Sequence, residues 1–184
     1  MDILPITREF IDYWHSMPKG KHGIPTKESL KLHRIPKAMP HVLLLDLEEK
    51  NQQYFTHILF AGSAKCDLFK AEMTGLNLLF LFEKDVKAAI YHRLQQVLNH
   101  PSGFWLQSLT PYERGISTLD EVTALPIYDE SLGRSIICML SYAQLATTHE
   151  AIDIENGKAQ LITPDHWIDI GYGIPEGRQP LLIP

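Results

Sequence analysis

Cysteine is nearly missing from this sequence. Two stand in 184 residues, Cys66 and Cys138, without metal-ligand spacing or a paired framework. That composition rules out a disulfide-built scaffold and leads us to expect free thiols in a reducing cytoplasm. Long apolar runs are missing too. The stretch 76–82 is broken by Asn77 and is far too short to span a bilayer, so no membrane insertion is expected. The first residues carry no basic cluster ahead of an apolar segment, and no signal peptide is expected. No run of Lys and Arg occurs and the net charge is −5, which argues against a nucleic-acid partner.

Several catalytic signatures are also lacking. The chain has no glycine-rich phosphate loop, no G-x-S-x-G elbow and no H-E-x-x-H zinc helix. Its nine histidines are scattered, none of them three or four residues from another, so a metal site is not expected. One acid–base constellation stands out. Asp165, His166 and Asp169 place carboxylates around an imidazole, which suits general acid–base work and equally suits a capping and turn cluster.

What is present is an ordinary globular composition, 45% hydrophobic and 21% charged, in a chain long enough for one core. Ile6, Phe10, Tyr13, Trp14 and Met17 recur at helical spacing before Pro18 and Gly20. Such a wide aromatic stripe either packs on the chain's own sheet or serves as a dimer contact. Its excess of apolar area favours a homodimer with these five residues at the interface. The basic loop 19–23 is either solvated or a phosphate contact through Lys19 and Lys21. Residues 25–34 predict a second short helix with Thr26 as N-cap.

Residues 41–47 are almost uniformly apolar and predict a strand buried on both faces. A polar hairpin leads to a partner strand over 54–61, and Gly62-Ser63 then opens a short helix over 64–70. Residues 83–99 predict a longer amphipathic helix with Val86, Ile90, Leu94, Val97 and Leu98 on its apolar side. Three strands follow, over 104–109, 116–128 and 134–146, as an antiparallel meander. The remainder, 148–184, holds four prolines and four glycines and is expected to wrap over the core as an irregular tail, fraying from residue 176. The expected division is 1–35 as an N-terminal helical extension, 36–147 as the domain proper and 148–184 as the tail.

Particular residues give this order a family. Tyr13-Trp14 lie on the first helix, and Met39-Pro40-His41-Val42-Leu43-Leu44-Leu45-Asp46 open the first strand. Ala61-Gly62-Ser63, Leu68-Phe69 and Met73-Thr74-Gly75 follow, and Trp167 to Gly173 read Trp-Ile-Asp-Ile-Gly-Tyr-Gly. The chain resembles the PAS_5 family, single-PAS proteins of proteobacteria. It departs from the family pattern at Lys27, Ser29, Leu32 and Leu59, where arginine, aspartate, proline and arginine are usual.

The resemblance implies an α+β PAS fold, a five-stranded antiparallel sheet with helices inserted after the second strand. It also implies a sensory or regulatory module that binds a small apolar ligand, a partner signalling protein, or both, and is not an enzyme. PAS ligands usually sit between sheet and inserted helices, which makes His57, Phe60, Trp105 and Tyr142 the candidate ligand-binding residues if they are not simply core. A cavity bordered by Phe60 and Trp105 is expected under those helices. Covalent flavin chemistry is not expected, because Cys66 lacks the Asn-Cys-Arg-Phe-Leu-Gln context. Nor is haem, because the neighbours of His92 mark no axial ligand site. No kinase, cyclase or DNA-binding output segment is recognisable. The competing readings are a small α+β enzyme using Asp165, His166 and Asp169, and a ligand-free interaction adaptor.

Overall fold

The computed structural model describes residues 3–82, 84–111, 117–145, 160–161 and 166–181. Helix α1 (Pro5–Ser16) opens the chain, with proline in its first turn, where a missing N–H costs nothing. Strands β1 (Val42–Lys50) and β2 (Gln53–Ala61) form a hairpin, followed by α2 (Ser63–Phe69), a single turn at Leu78–Leu81 and α3 (Lys84–Asn99). Strands β3 (Gly103–Pro111), β4 (Ser117–Asp129) and β5 (Arg134–Leu145) complete the central sheet in the order β2-β1-β5-β4-β3. All four contacts between these strands are antiparallel.

The tail extends that sheet. Strand β6 (Gln160–Leu161) and strand β7 (His166–Ile168) both pair with β3, and β8 (Gln179–Pro180) runs parallel to β7. The Arg178 guanidinium lies 5.6 Å from the Trp167 ring, and Leu181 donates its N–H to the Trp167 carbonyl at 2.7 Å. Residues 166–181 are therefore held at the sheet edge; fraying was expected from residue 176, and within that stretch Arg178 and Leu181 are tied back to Trp167.

Strand alternation sorts the core into two. Along β1, Val42 and Leu44 point to one face while Leu43 and Leu45 point to the other, and all four are buried. The first face carries Leu125, Ile127, Ile136 and Cys138 and is covered by α1. The second carries Ile58, Phe104, Leu106, Ile137 and Met139 and is covered by Leu94 and Val97 of α3 with Met73 and Leu78.

The α1 face is closed by the same chain. Phe10 and Trp14 are each 1% exposed, Tyr13 and Met17 are buried, and Ile6 packs against the same cluster. Trp14 donates its indole N–H to the Pro126 carbonyl at 3.0 Å. The stripe read as a dimer contact is thus largely covered inside one chain, with Ile6 left partly exposed. The physical reason is that a sheet buried on both faces must find a cover for its second side, and α1 supplies it.

Two buried carboxylates clasp this cover. Glu121, 0% exposed on β4, accepts from Leu4 N at 3.2 Å, from the Thr7 hydroxyl and from Gln107 Nε2 at 2.9 Å. A carboxylate thereby meets the Leu4 N–H at the start of α1, where the helix dipole favours negative charge and the Leu4 side chain cannot cap. Asp129, also 0% exposed, ends β4 and holds Lys27 Nζ at 2.6 Å. The helix expected over 25–34 is two short 3-10 turns instead, Lys27–Ser29 and Leu32–Arg34. Tyr128 donates to the Pro25 carbonyl at 2.8 Å, and this pairing draws the segment flat along β4 before a longer helix can form.

Asp129 makes the closure acid-sensitive. Burial pushes its pKa up, but the Lys27 ammonium, the Ser131 hydroxyl and the N–H groups of Ser131 and Leu132 outweigh burial and hold it near about 2. A carboxyl whose folded pKa is depressed stabilises above its unfolded value and loses that contribution as pH falls through the folded one. We expect about 2 kcal/mol to be lost between roughly pH 4 and pH 2. Urea titrations at pH 5 and pH 2 check this, and Asp129→Asn should show a correspondingly smaller fall.

Candidate functional site

On the other face, the segment between β2 and α3 does the covering. Gly62 turns the chain against the turn before β1, and a Cβ there would run into the Pro40 carbonyl. The outer edge of β2 is capped by the segment that follows α2. Gly75 N donates to Ile58 O at 2.7 Å, Ile58 N donates to Leu76 O at 2.9 Å, and Asn77 Oδ1 accepts from Thr56 N at 2.9 Å. Beyond these anchors the cover is loosely seated. Leu68 and Phe69 are 38% and 40% exposed, and Phe80 is 73% exposed. Leu76, Leu81, Phe82 and Val86 are exposed as well.

The one fully buried residue of α2 is a lysine. Lys65 is 6% exposed. Burial drives its pKa from 10.5 down to about 8, and Asp120 on β4 opposes that fall. Asp120 accepts from the Thr118 hydroxyl at 2.9 Å. His41, just before β1, also has a lowered pKa, through burial first and the nearby Lys65 charge second. Its ring meets the Tyr142 ring edge-on at 4.8 Å. Cys66, next on α2, packs against the cluster of Leu43, Leu45, Met73 and Leu78. The site thus joins an apolar interior to a largely buried lysine whose charge Asp120 favours.

Three of the four ligand-binding candidates lie away from this site, and Tyr142 reaches it through His41. Trp105 is fully buried, and Phe60 pairs with Leu44; both belong to the α1 face. Tyr142 shares its side of β5 with Leu140 and Cys138. His57 pairs with Asp46, lies on that same side of β2 and meets Glu48 Oε2 at 3.0 Å. The expected cavity bordered by Phe60 and Trp105 under the inserted helices is therefore corrected, since neither side chain faces those helices. Strand parity would have sorted Trp105 and Tyr142, which alternate with Phe104 and with Ile137 and Met139, but not His57 and Phe60, because a bulge in the β1–β2 pairing brings these two residues of opposite parity to one side.

The acid–base trio is not brought together among the described residues. Asp165 lies outside them. His166 sets its ring against Trp105 at 5.8 Å, and Asp169 Oδ1 accepts from Gly171 N at 2.8 Å and Gly173 N at 2.9 Å. Those backbone bonds lower the Asp169 pKa and mark a turn-capping carboxylate. Among the described residues, no three His, Cys, Asp or Glu side chains gather as a metal site, and no helix is long and apolar enough to cross a membrane. Both cysteines are free, and burial pushes the Cys138 thiol up to about 12. In the basic loop, Lys19 Nζ donates to the Ile170 carbonyl at 3.2 Å and Lys21 sits 3.9 Å from Glu130.

Five antiparallel strands in the order 2-1-5-4-3, with helices inserted after the second, make this a PAS architecture. A family model described as a PAS domain, PAS_5, matches residues 4–139. The chain belongs to the PAS_5 family. No curated protein and no solved structure matches it. The match begins at Leu4 and includes α1, in keeping with the way Glu121 and Trp14 build that helix into the PAS core. As a PAS domain, the protein is a sensory or regulatory module.

Proposed function

We propose that this PAS_5 protein senses by holding a small, largely apolar molecule between its sheet and the segment formed by α2, the Leu78–Leu81 turn and α3. It passes the change to a partner protein by contact. The observation that carries this reading is an asymmetry of closure. Under α1 the buried charges Glu121 and Asp129 are each met by several donors. Under α2 no comparable clasp is seen among the described residues, and the covering segment leaves Leu68, Phe69 and Phe80 at the surface. A weakly tied cover over an apolar interior suits ligand exchange and displacement of the cover.

The reading assigns no catalytic role, and Asp169 serves its own turn. The unpaired thiols fit a cytoplasmic location. A ligand-free adaptor is the second reading, supported by the exposed apolar run at Leu76, Phe80, Leu81 and Phe82. Native mass spectrometry on protein purified without added ligand separates the two. We expect a second species heavier than the bare chain that disappears on denaturation. A bare mass alone under gentle ionisation favours the adaptor.

A further inference from the structure

We propose that Lys31, Arg34 and Lys37 form a docking surface for an acidic segment of a partner protein. This rests on the reading above that the module signals by contact, and it names the chemistry of that contact. Charge is unevenly spread along the chain. Residues 19–37 hold six of the 17 Lys and Arg and one of the 22 Asp and Glu, a local net charge of +5 in a chain of −5. Everything else therefore carries −10.

The fold sets part of this excess in a row. From Lys31 onward the chain runs in successive tight turns. Arg34 N donates to Lys31 O at 2.9 Å, Ile35 N to Leu32 O at 3.0 Å and Ala38 N to Ile35 O at 3.0 Å. Side chains three apart in such turns share a side. Ile35 and Ala38 are buried in the cluster under α1, and Leu32 packs against it. Lys31, Arg34 and Lys37, each one residue earlier, are exposed. The backbone beneath them is fixed, since Lys31 donates its N–H to the Tyr13 hydroxyl at 2.5 Å. No acidic side chain among the described residues pairs with these three, whereas Lys27 is held by Asp129 and Lys21 lies 3.9 Å from Glu130. Aligned like charges repel, and they add nothing to a segment that Ile35 and Ala38 already anchor.

Size selects the occupant. At about 2 Å per residue the row is roughly 12 Å long, the span of three or four residues of an extended peptide. A nucleic-acid duplex or an anionic membrane reaches well past it, over a remainder of the chain that carries −10 and repels negative charge. A short run of Asp and Glu meets the row alone. Arg34 offers a planar fork to a carboxylate, with a lysine on either side.

The test is fluorescence anisotropy of labelled decaglutamate with the full chain at low and high salt. Two variants of equal net charge are compared, Lys31→Glu/Arg34→Glu/Lys37→Glu and Lys50→Glu/Lys70→Glu/Lys84→Glu, all six sites being exposed. Both should melt as cooperatively as wild type. Decaglutamate should bind wild type at low salt, and the first variant should bind it roughly tenfold more weakly, the effect of three exposed ion pairs turned to repulsion. The second variant should bind as wild type does, and high salt should erase the difference. No binding to wild type, equal losses in both variants or no loss in the first overturns the docking surface. A DNA duplex or phosphatidylserine vesicles binding through the same three residues more tightly than decaglutamate overturns the acidic protein as occupant. Each of these failures leaves the sensing reading standing, because the native mass of the purified chain decides that separately.

Discussion

Phe10→Asp combined with Trp14→Asp is expected to abolish folding. Both side chains are 1% exposed against the α1 face of the sheet, with Leu125, Ile127 and Ile136 in the same cluster. Truncating one core aromatic typically costs about 3–5 kcal/mol, and replacing it with a buried, unpaired carboxylate costs more. Two such changes exceed the roughly 5–15 kcal/mol that holds a domain of this kind together. Near-ultraviolet circular dichroism and thermal melts should show no cooperative transition at a temperature where wild type is folded. A folded double variant with half the wild-type mass in light scattering would restore α1 as a two-fold contact and would mean that the burial seen in one chain is not needed for stability.

That expectation reverses the one drawn from the stripe alone, and the reversal shows where sequence reasoning stopped. Spacing identified Phe10, Tyr13, Trp14 and Met17 as one apolar face, and α1 forms over Pro5–Ser16. Spacing does not say what a face meets. The missing information was the second side of a strand already recognised as buried on both faces. Val42 and Leu44 need a cover distinct from the one over Leu43 and Leu45, and the N-terminal helix is the element available. The succession of strands and inserted helices along the chain was legible because turn residues such as Gly62, Thr74 and Gly75 punctuate long periodic segments.

The expected place of the ligand-binding candidates under the inserted helices failed for a related reason. Large aromatic and polar residues drew attention to Trp105 and Tyr142, but alternation along β3 and β5 turns them toward α1. Lys65 was passed over because charged residues are usually solvated, and a helix of seven residues is too short to display a period. The tail was read as irregular because its strands are two or three residues long, below what alternation can reveal. Trp167 and Ile168 were nonetheless inside the quoted Trp-Ile-Asp-Ile-Gly motif, and burial of that indole against Phe104 is what fixes β7 to the edge.

Lys65→Met is expected to stabilise the protein. Methionine keeps the length and much of the volume of the side chain while removing a charge that burial opposes. The fall of the lysine pKa from 10.5 to about 8 corresponds to roughly 3 kcal/mol of penalty on the charged form in the folded state. The sign follows from proton counts. Below about pH 8 both folded and unfolded chains carry the proton, and the penalty is present in full. Between about 8 and 10.5 the folded chain has released it while the unfolded chain still holds it, so wild-type stability gains from this group as pH rises. Denaturant titrations should therefore show the variant more stable by about 3 kcal/mol at pH 7, with the gap closing toward pH 10.5. A variant less stable than wild type at pH 7 would show that the ammonium is satisfied inside the fold. A gap that does not change with pH would assign the gain to packing and not to the charge.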